Sequence, residues 1–294
     1  MSILLLEGRL AAEKLLENLR EQRAKLSSTL RSPKLCAILI GDHPASKIYV
    51  QAKVKACEKM GYLSEVIYFS ADVQKEIVQK TLQKLNQNSE VDGILLQLPL
   101  PQHLSALELI SQISIHKDVD GFHPENLGRM LLQKPYFLPA TTLGIIALLN
   151  FYQIETAGKH CVVVGRSSIV GLPTALWLAQ KQEFGNCTVT LTHSYTKNLK
   201  NYTEQADILI SAVGKPHHIT ADMVKKNAVV IDVGISRKID ENGKNILLGD
   251  VDFVQVSKIA QAITPVPGGV GPMTIYGLLH NTFQAYRQSI GIFP

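Results

Sequence analysis

The stretch SKIYVQAK sets Ser46, Tyr49 and Lys53 at i, i+3 and i+7. On a helix those positions share one face. A tyrosine ring offers a flat stacking surface and a hydroxyl. A lysine amine becomes less basic when it is buried or near other cations, and can then manage the protons of a reacting water. The same spacing also suits a solvated face with an extended lysine stem. GILLQLPLP places Gln97 at the carboxyl end of an apolar strand, the edge at which parallel sheets bind ligands. A neutral amide there can orient a substrate or a water, or simply cap the loop. KDVDGFHP holds Asp118 and Asp120 ahead of Gly121. Two such carboxylates can grip a ring bearing several N–H donors, bind a cation or form an Asx turn. No matching ligand cluster lies elsewhere in the chain, so no metal is expected.

VVVGRSSIVGLPTA, Val162 to Ala175, reads as a buried strand, a turn and the start of a helix. A helix N-terminus behind a tight turn attracts phosphate through its unpaired N–H groups and positive dipole end. The dinucleotide fingerprint G-x-G-x-x-G is incomplete here. Gly165 is present, Ser167 stands where the second glycine belongs, and Gly171 comes one place late. An ordinary strand-to-helix crossover fits the loop equally well. The end of the following strand weighs toward the nucleotide, although Arg166 also suits a solvated turn. THSYTKN carries Ser194 and no acid to hold a ribose diol, while Arg166 lies in the loop. A cation plus a hydroxyl suits a 2′-phosphate, which favours NADP over NAD. TPVPGGVGPMT, Thr264 to Thr274, crowds three prolines and three glycines before a helix. Fixed φ at proline and permissive φ at glycine make this a specific loop, built either for a ligand or as a rigid connector.

The elements that position these residues alternate. Helical spacing runs from about Ala11 to Leu30. A buried strand follows over Lys34–Gly41, then a helix from Pro44 that stops at Gly61. SEVIYF reads as a strand, Val73 to Asn86 as a helix, and VDGILLQLPLP as a strand entering a proline-stiffened turn. Thr141 to Tyr152 reads as a connecting helix. A second series, KHCVVVG, CTVTLTH, ADILISAVG, NAVVIDVGI and AITPV, supplies further strands with helices between most of them, and Thr274 to Gln288 a closing helix. Such alternation predicts an α/β fold with parallel sheets, the second series being a doubly wound dinucleotide fold. The domain change is placed near Ala140.

The chain's 294 residues suit two modest domains or one large one. Hydrophobic residues make up 46% and charged residues 19%, an ordinary globular composition. The net charge of +5 is scattered, which argues against a nucleic-acid partner, though a positive field helps draw in a small anion. Leu143 to Tyr152 is too short to span a bilayer, and the N-terminus lacks the pattern of a signal peptide. Cys36, Cys57, Cys161 and Cys187 are widely spaced. Reduced core thiols in a cytoplasmic protein are expected.

Taken in order, SKIYVQAKVKACEKMG, GILLQLPLP, KDVDGF, VVVGRSSIVGLP, VIDVGI, GDVDF and ITPVPGGVGPMT resemble the bifunctional methylenetetrahydrofolate dehydrogenase/methenyltetrahydrofolate cyclohydrolase family over nearly the full chain. The resemblance implies two lobes. Residues 1–140, completed by 270–294, would bind folate, and 141–269 would bind NADP. It implies that Lys53 is central to the cyclohydrolase step with Gln97 assisting, that Tyr49 stacks on folate and that Asp120 anchors the pterin. Gly165, Arg166, Ser167, Ser194 and Ile235 would meet NADP. Pro267, Gly268, Gly269, Gly271 and Pro272 would meet folate. The closing helix would pack back on the first lobe, and the protein would be a homodimer. The segment AQKQEFGNCTV is longer than the family's usual loop, an expected surface change. Rival readings are an NADP-dependent dehydrogenase of a shikimate-like acid, an NADP-binding module without turnover, and a family member that is a dehydrogenase only.

Overall fold

The computed structural model describes residues 3–239 and 245–292. The chain opens with β1 (Leu4–Leu5) and α1 (Gly8–Ala24). It continues through β2 (Lys34–Ile40), α2 (Pro44–Met60), β3 (Leu63–Phe69), α3 (Lys75–Gln87) and β4 (Gly93–Leu96). Then come α4 (Ala106–Ile110), α5 (Pro124–Leu131), α6 (Ala140–Phe151), β5 (His160–Val164), α7 (Gly171–Ala179) and β6 (Thr188–Thr192). The remainder is α8 (Lys200–Thr203), β7 (Ile208–Ser211), β8 (Val229–Asp232), β9 (Ser236–Ile239), β10 (Asn245–Leu248), α9 (Phe253–Val256), β11 (Ala262–Ile263) and α10 (Val270–Ser289).

Two compact units form, one of residues 14–140 with 275–294, the other of residues 1–13 with 141–274. The first has a parallel three-stranded sheet in the order β3-β2-β4. β2 is the apolar run KLCAILI, buried from Leu35 onward, as a central strand covered on both faces must be. α3 buries Val78, Leu82 and Leu85, a stripe at i, i+4 and i+7 that packs on the sheet. The Lys117 ammonium donates to the carbonyls of Leu85, Asn86 and Asn88, which caps the end of that helix. α2 begins at Pro44 and ends at Gly61, whose φ of 66° is the left-handed stop glycine supplies.

The second unit holds a six-stranded sheet in the order β1-β11-β8-β7-β5-β6, parallel throughout, and a separate antiparallel β9–β10 pair. Residues 1–13 and 270–274 fall with this unit. Leu4 pairs with Ala262 in β1–β11, and the Arg9 N–H donates to the Gly268 carbonyl at 2.9 Å. A two-residue strand has no sequence period of its own, so only its partner reveals it. α1 stops at Ala24 rather than near Leu30. The Ser27 carbonyl and hydroxyl take the N–H groups of Leu30 and Thr29, a local alternative to helix. The β9–β10 pair had no expected counterpart. α10 starts at Val270, earlier than the expected Thr274, so Gly271 and Pro272 lie in its first turn.

Candidate active site

In the first unit, chain order runs from β2 outward to β3 on one side and to β4 on the other. The carboxyl ends of β2 and β4 therefore flank a topological switch point, where open α/β sheets leave a crevice. Gln97 follows β4 at that point, its N–H donating to the Ile38 carbonyl of β2 at 2.9 Å. Its side-chain amide donates to the Leu98 carbonyl at 2.7 Å, which turns Oε1 toward α2. There Oε1 accepts from Lys53 Nζ at 3.0 Å.

Lys53 is 7% exposed although its side chain ends in an ionisable amine. It lies on the buried stripe of α2 with Ser46, Val50 and Cys57, while Tyr49 beside it is half-buried. Burial lowers the Lys53 amine below its ordinary value, and the nearby Asp120 charge opposes that shift. Burial raises the Asp120 carboxyl, opposed by Lys53. The structure thus brings Lys53, Gln97 and Asp120 together, with Tyr49 one turn away.

Asp120 sits where it does because residues 117–118 run alongside β4. The Ile94 N–H donates to the Lys117 carbonyl at 2.8 Å, and Ile94 bridges to Asp118. Asp118 takes different partners. It accepts from the His123 N–H at 2.8 Å, five residues on rather than the two of an Asx turn, and from the Asn126 amide. Asn281 of α10 donates to the carbonyls of Val119 and Leu138, fixing both strands of this loop. Gly121 has φ +78°, and a Cβ there would stand 2.6 Å from the Pro139 nitrogen. Asn126 and Asn281 carry no chemical motif, and nothing in the sequence marks them as supports.

In the second unit, β5 lies between β6 and β7, so its carboxyl end is likewise the switch point. Gly165 occupies that end with φ +111°. A Cβ on Gly165 would overlap the Ala212 carbonyl, and one on Gly171 would overlap the Gly165 carbonyl. The late glycine therefore does the close packing of helix on strand that the usual third glycine does. Ser167 Oγ accepts from the N–H groups of Val170 and Gly171 at 3.3 Å each. It thereby takes N–H groups at the opening of α7 that have no partner within the helix. Arg166 and Ser194 are exposed. The Arg166 guanidinium stands 6.0 Å from the centre of the Tyr195 ring, so the loop cation and the turn after β6 meet. Sequence reasoning passed over Tyr195, although an exposed aromatic at a strand end next to Ser194 was a usable signal. Small residues, a helix start and an exposed cation make a cradle that fits a dinucleotide phosphate.

The proline- and glycine-rich loop is braced within the same unit. Thr264 is buried, Gly268 has φ +109°, and a Cβ on Gly8 would overlap the Gly269 carbonyl. Pro267 is exposed. The Ile235 Cδ1 lies 3.5 Å from the place of a Cβ on Gly271, so Ile235 and this loop are neighbours.

Residues 6–120 match the model of the tetrahydrofolate dehydrogenase/cyclohydrolase catalytic domain. Residues 139–290 match that of the NAD(P)-binding domain of the same enzymes. The chain belongs to the tetrahydrofolate dehydrogenase/cyclohydrolase family. It is 49% identical over 289 residues to the bifunctional protein FolD of Amoebophilus asiaticus, a span covering 97% of each chain. The solved FolD methylenetetrahydrofolate dehydrogenase/cyclohydrolase of Campylobacter jejuni is 43% identical with a TM-score of 0.91, covering 98% of this chain and 99% of that one. The Trypanosoma brucei N5,N10-methylenetetrahydrofolate dehydrogenase-cyclohydrolase, solved with NADP cofactor and an inhibitor, is 34% identical with a TM-score of 0.93, covering 99% of both. Membership of this family replaces the reading as a dehydrogenase of a shikimate-like acid.

Proposed function

We propose that the chain oxidises 5,10-methylenetetrahydrofolate to 5,10-methenyltetrahydrofolate with NADP⁺ and hydrolyses that product to 10-formyltetrahydrofolate. The observation that carries the reading is the buried Lys53 amine, held by Gln97 and facing Asp120, inside the matched catalytic domain. Bound NADP⁺ supplies a hydride acceptor. The cradle of Gly165, Arg166 and Ser167, with Ser194 and Ile235, holds it, and Arg166 with Ser194 meets the 2′-phosphate.

The folate ring lies on Tyr49, and the Asp120 carboxylate takes its N–H donors. Pro267, Gly268, Gly269, Gly271 and Pro272 also meet folate on this reading. Positioning dominates the oxidation, because a ring nitrogen lone pair already stabilises the developing cation. Hydrolysis needs more. Water adds to the cationic carbon and must lose a proton. Burial favours the neutral form of the Lys53 amine, and that form takes the proton. The Gln97 carbonyl and the Asp120 carboxylate stabilise the resulting ammonium, which returns the proton to N5 as the C–N5 bond of the adduct breaks; the formyl C=O forms as the hydroxyl proton leaves to solvent. The same reading makes the protein a cytoplasmic homodimer whose formyl product feeds one-carbon transfers such as those of purine biosynthesis. Four buried free thiols agree with a reducing compartment.

The test is Lys53→Met. Hydrolysis of supplied methenyltetrahydrofolate should fall at least ~100-fold, the scale of a lost general acid–base group, while NADP⁺ binding by the folded variant is unchanged. Hydrolysis at the unmodified rate would remove Lys53 from the mechanism.

A further inference from the structure

At the carboxyl edge of the six-stranded sheet lie two buried aspartates that the mechanism does not use. Asp250 accepts from the Ser211 hydroxyl at 3.1 Å, the Val213 N–H at 2.7 Å and the Lys215 N–H at 2.8 Å. Asp232 accepts from the N–H groups of Gly234, Asp250 and Val251 at 2.9–3.0 Å. Neither carboxylate has an ion-pair partner among the described residues. Each fills the space beside a glycine next to the other. A Cβ on Gly249 would overlap the Asp232 carboxylate, and one on Gly234 the Asp250 carboxylate. Burying an acid without a cation is expensive, and burial pushes Asp232 up to about 7. An arrangement that costs this much needs a consequence elsewhere in the fold.

The consequence lies one layer away. The backbone that Asp250 grips, residues 211–215, is the backbone against which the phosphate turn rests. The Ala212 carbonyl occupies the space of a Cβ on Gly165, and Val213 Cγ1 lies 3.4 Å from the same point. We infer that Asp250 is a positioning residue for the dinucleotide, holding Ala212 and Val213 at the height that shapes the turn at Gly165–Ser167. The role requires a carboxylate. Two N–H donors and one O–H converge on it, and an asparagine would set its own N–H₂ against one of them. The inference rests on the reading of that turn as the NADP site.

The experiment compares the full-length wild type with Asp250→Asn and with Ser211→Ala, which removes only the hydroxyl donor. The dissociation constant for NADP⁺ is measured by titration. Hydrolysis of supplied methenyltetrahydrofolate is measured without nucleotide, and cooperative melting establishes folding. Asp250→Asn should weaken NADP⁺ binding at least tenfold and leave hydrolysis within twofold. Ser211→Ala should weaken binding two- to threefold, and it decides the matter if the first variant does not fold. Wild-type NADP⁺ affinity in the folded variant overturns the inference. So does an equal loss of binding and hydrolysis, which marks a general structural defect. Failure of the wild type to bind NADP⁺ overturns the parent reading instead.

Discussion

At the scale of single residues, orientation carries more than identity. Gln97 presents its oxygen to Lys53 because its own nitrogen is committed to the Leu98 carbonyl. Both residues were legible as candidates, since an amide at a strand end and a lysine on a helix face are visible in one dimension. Their 3.0 Å contact was not, being a pairing across 44 positions. Arg166 is the matching case in the second unit. It is exposed and lies over Tyr195, the residue that follows Ser194. A charge-assisted contact to a 2′-phosphate contributes roughly 1.5–3 kcal/mol. Arg166→Ala should therefore raise the KM for NADP⁺ about tenfold or more and leave the KM for NAD⁺ within about twofold. Steady-state assays with the two nucleotides check this, and equal effects on both would remove the 2′-phosphate argument.

At the scale of elements, similar glycines have opposite meanings. Gly171 opens α7 against the phosphate turn, and a Cβ there would overlap the Gly165 carbonyl. Gly128 lies within α5 with nothing inside 4 Å of the place of its Cβ. Gly171→Ala should destabilise by about 1–3 kcal/mol, the scale of backbone overpacking, and weaken NADP⁺ binding. Gly128→Ala should stabilise by about 0.5–1 kcal/mol through helix propensity. Urea melts of both variants measure the two signs. Strong periodicity made α2, α3 and the strands β2, β4, β5, β7 and β8 readable, because each is an apolar run or stripe that must face a core. The strand β1 and the Ser27 stop to α1 were not readable. Both depend on partners or local hydrogen bonds that periodicity does not encode.

At the scale of the whole molecule, the buried acids set the response to pH. Asp118 is 2% exposed, and burial raises its carboxyl from 3.8 to about 6, with the His123 N–H opposing and Asp120 adding to the rise. Between those two values the folded state keeps the proton and the unfolded chain releases it. The Asp118 contribution to stability therefore grows as the pH falls from about 6 to about 4, the reverse of a salt-bridged aspartate. Wild type should gain roughly 2–3 kcal/mol relative to Asp118→Asn over that range, since a shift of one unit is worth about 1.4 kcal/mol. Denaturant midpoints at the two pH values give the difference directly, and parallel pH profiles for the two proteins would refute it.

The sequence by itself determined the α/β alternation, the two series of strands and the ordered motifs that mark the family. It did so because hydrophobic period, turn chemistry and motif spacing are local properties of a chain. The tertiary structure alone decided which of two neighbouring aspartates faces Lys53, which glycine seals the phosphate turn, and that Asp232 and Asp250 interlock beneath it. Those outcomes depend on how distant segments share space and hydrogen-bond donors, and no local pattern carries that information.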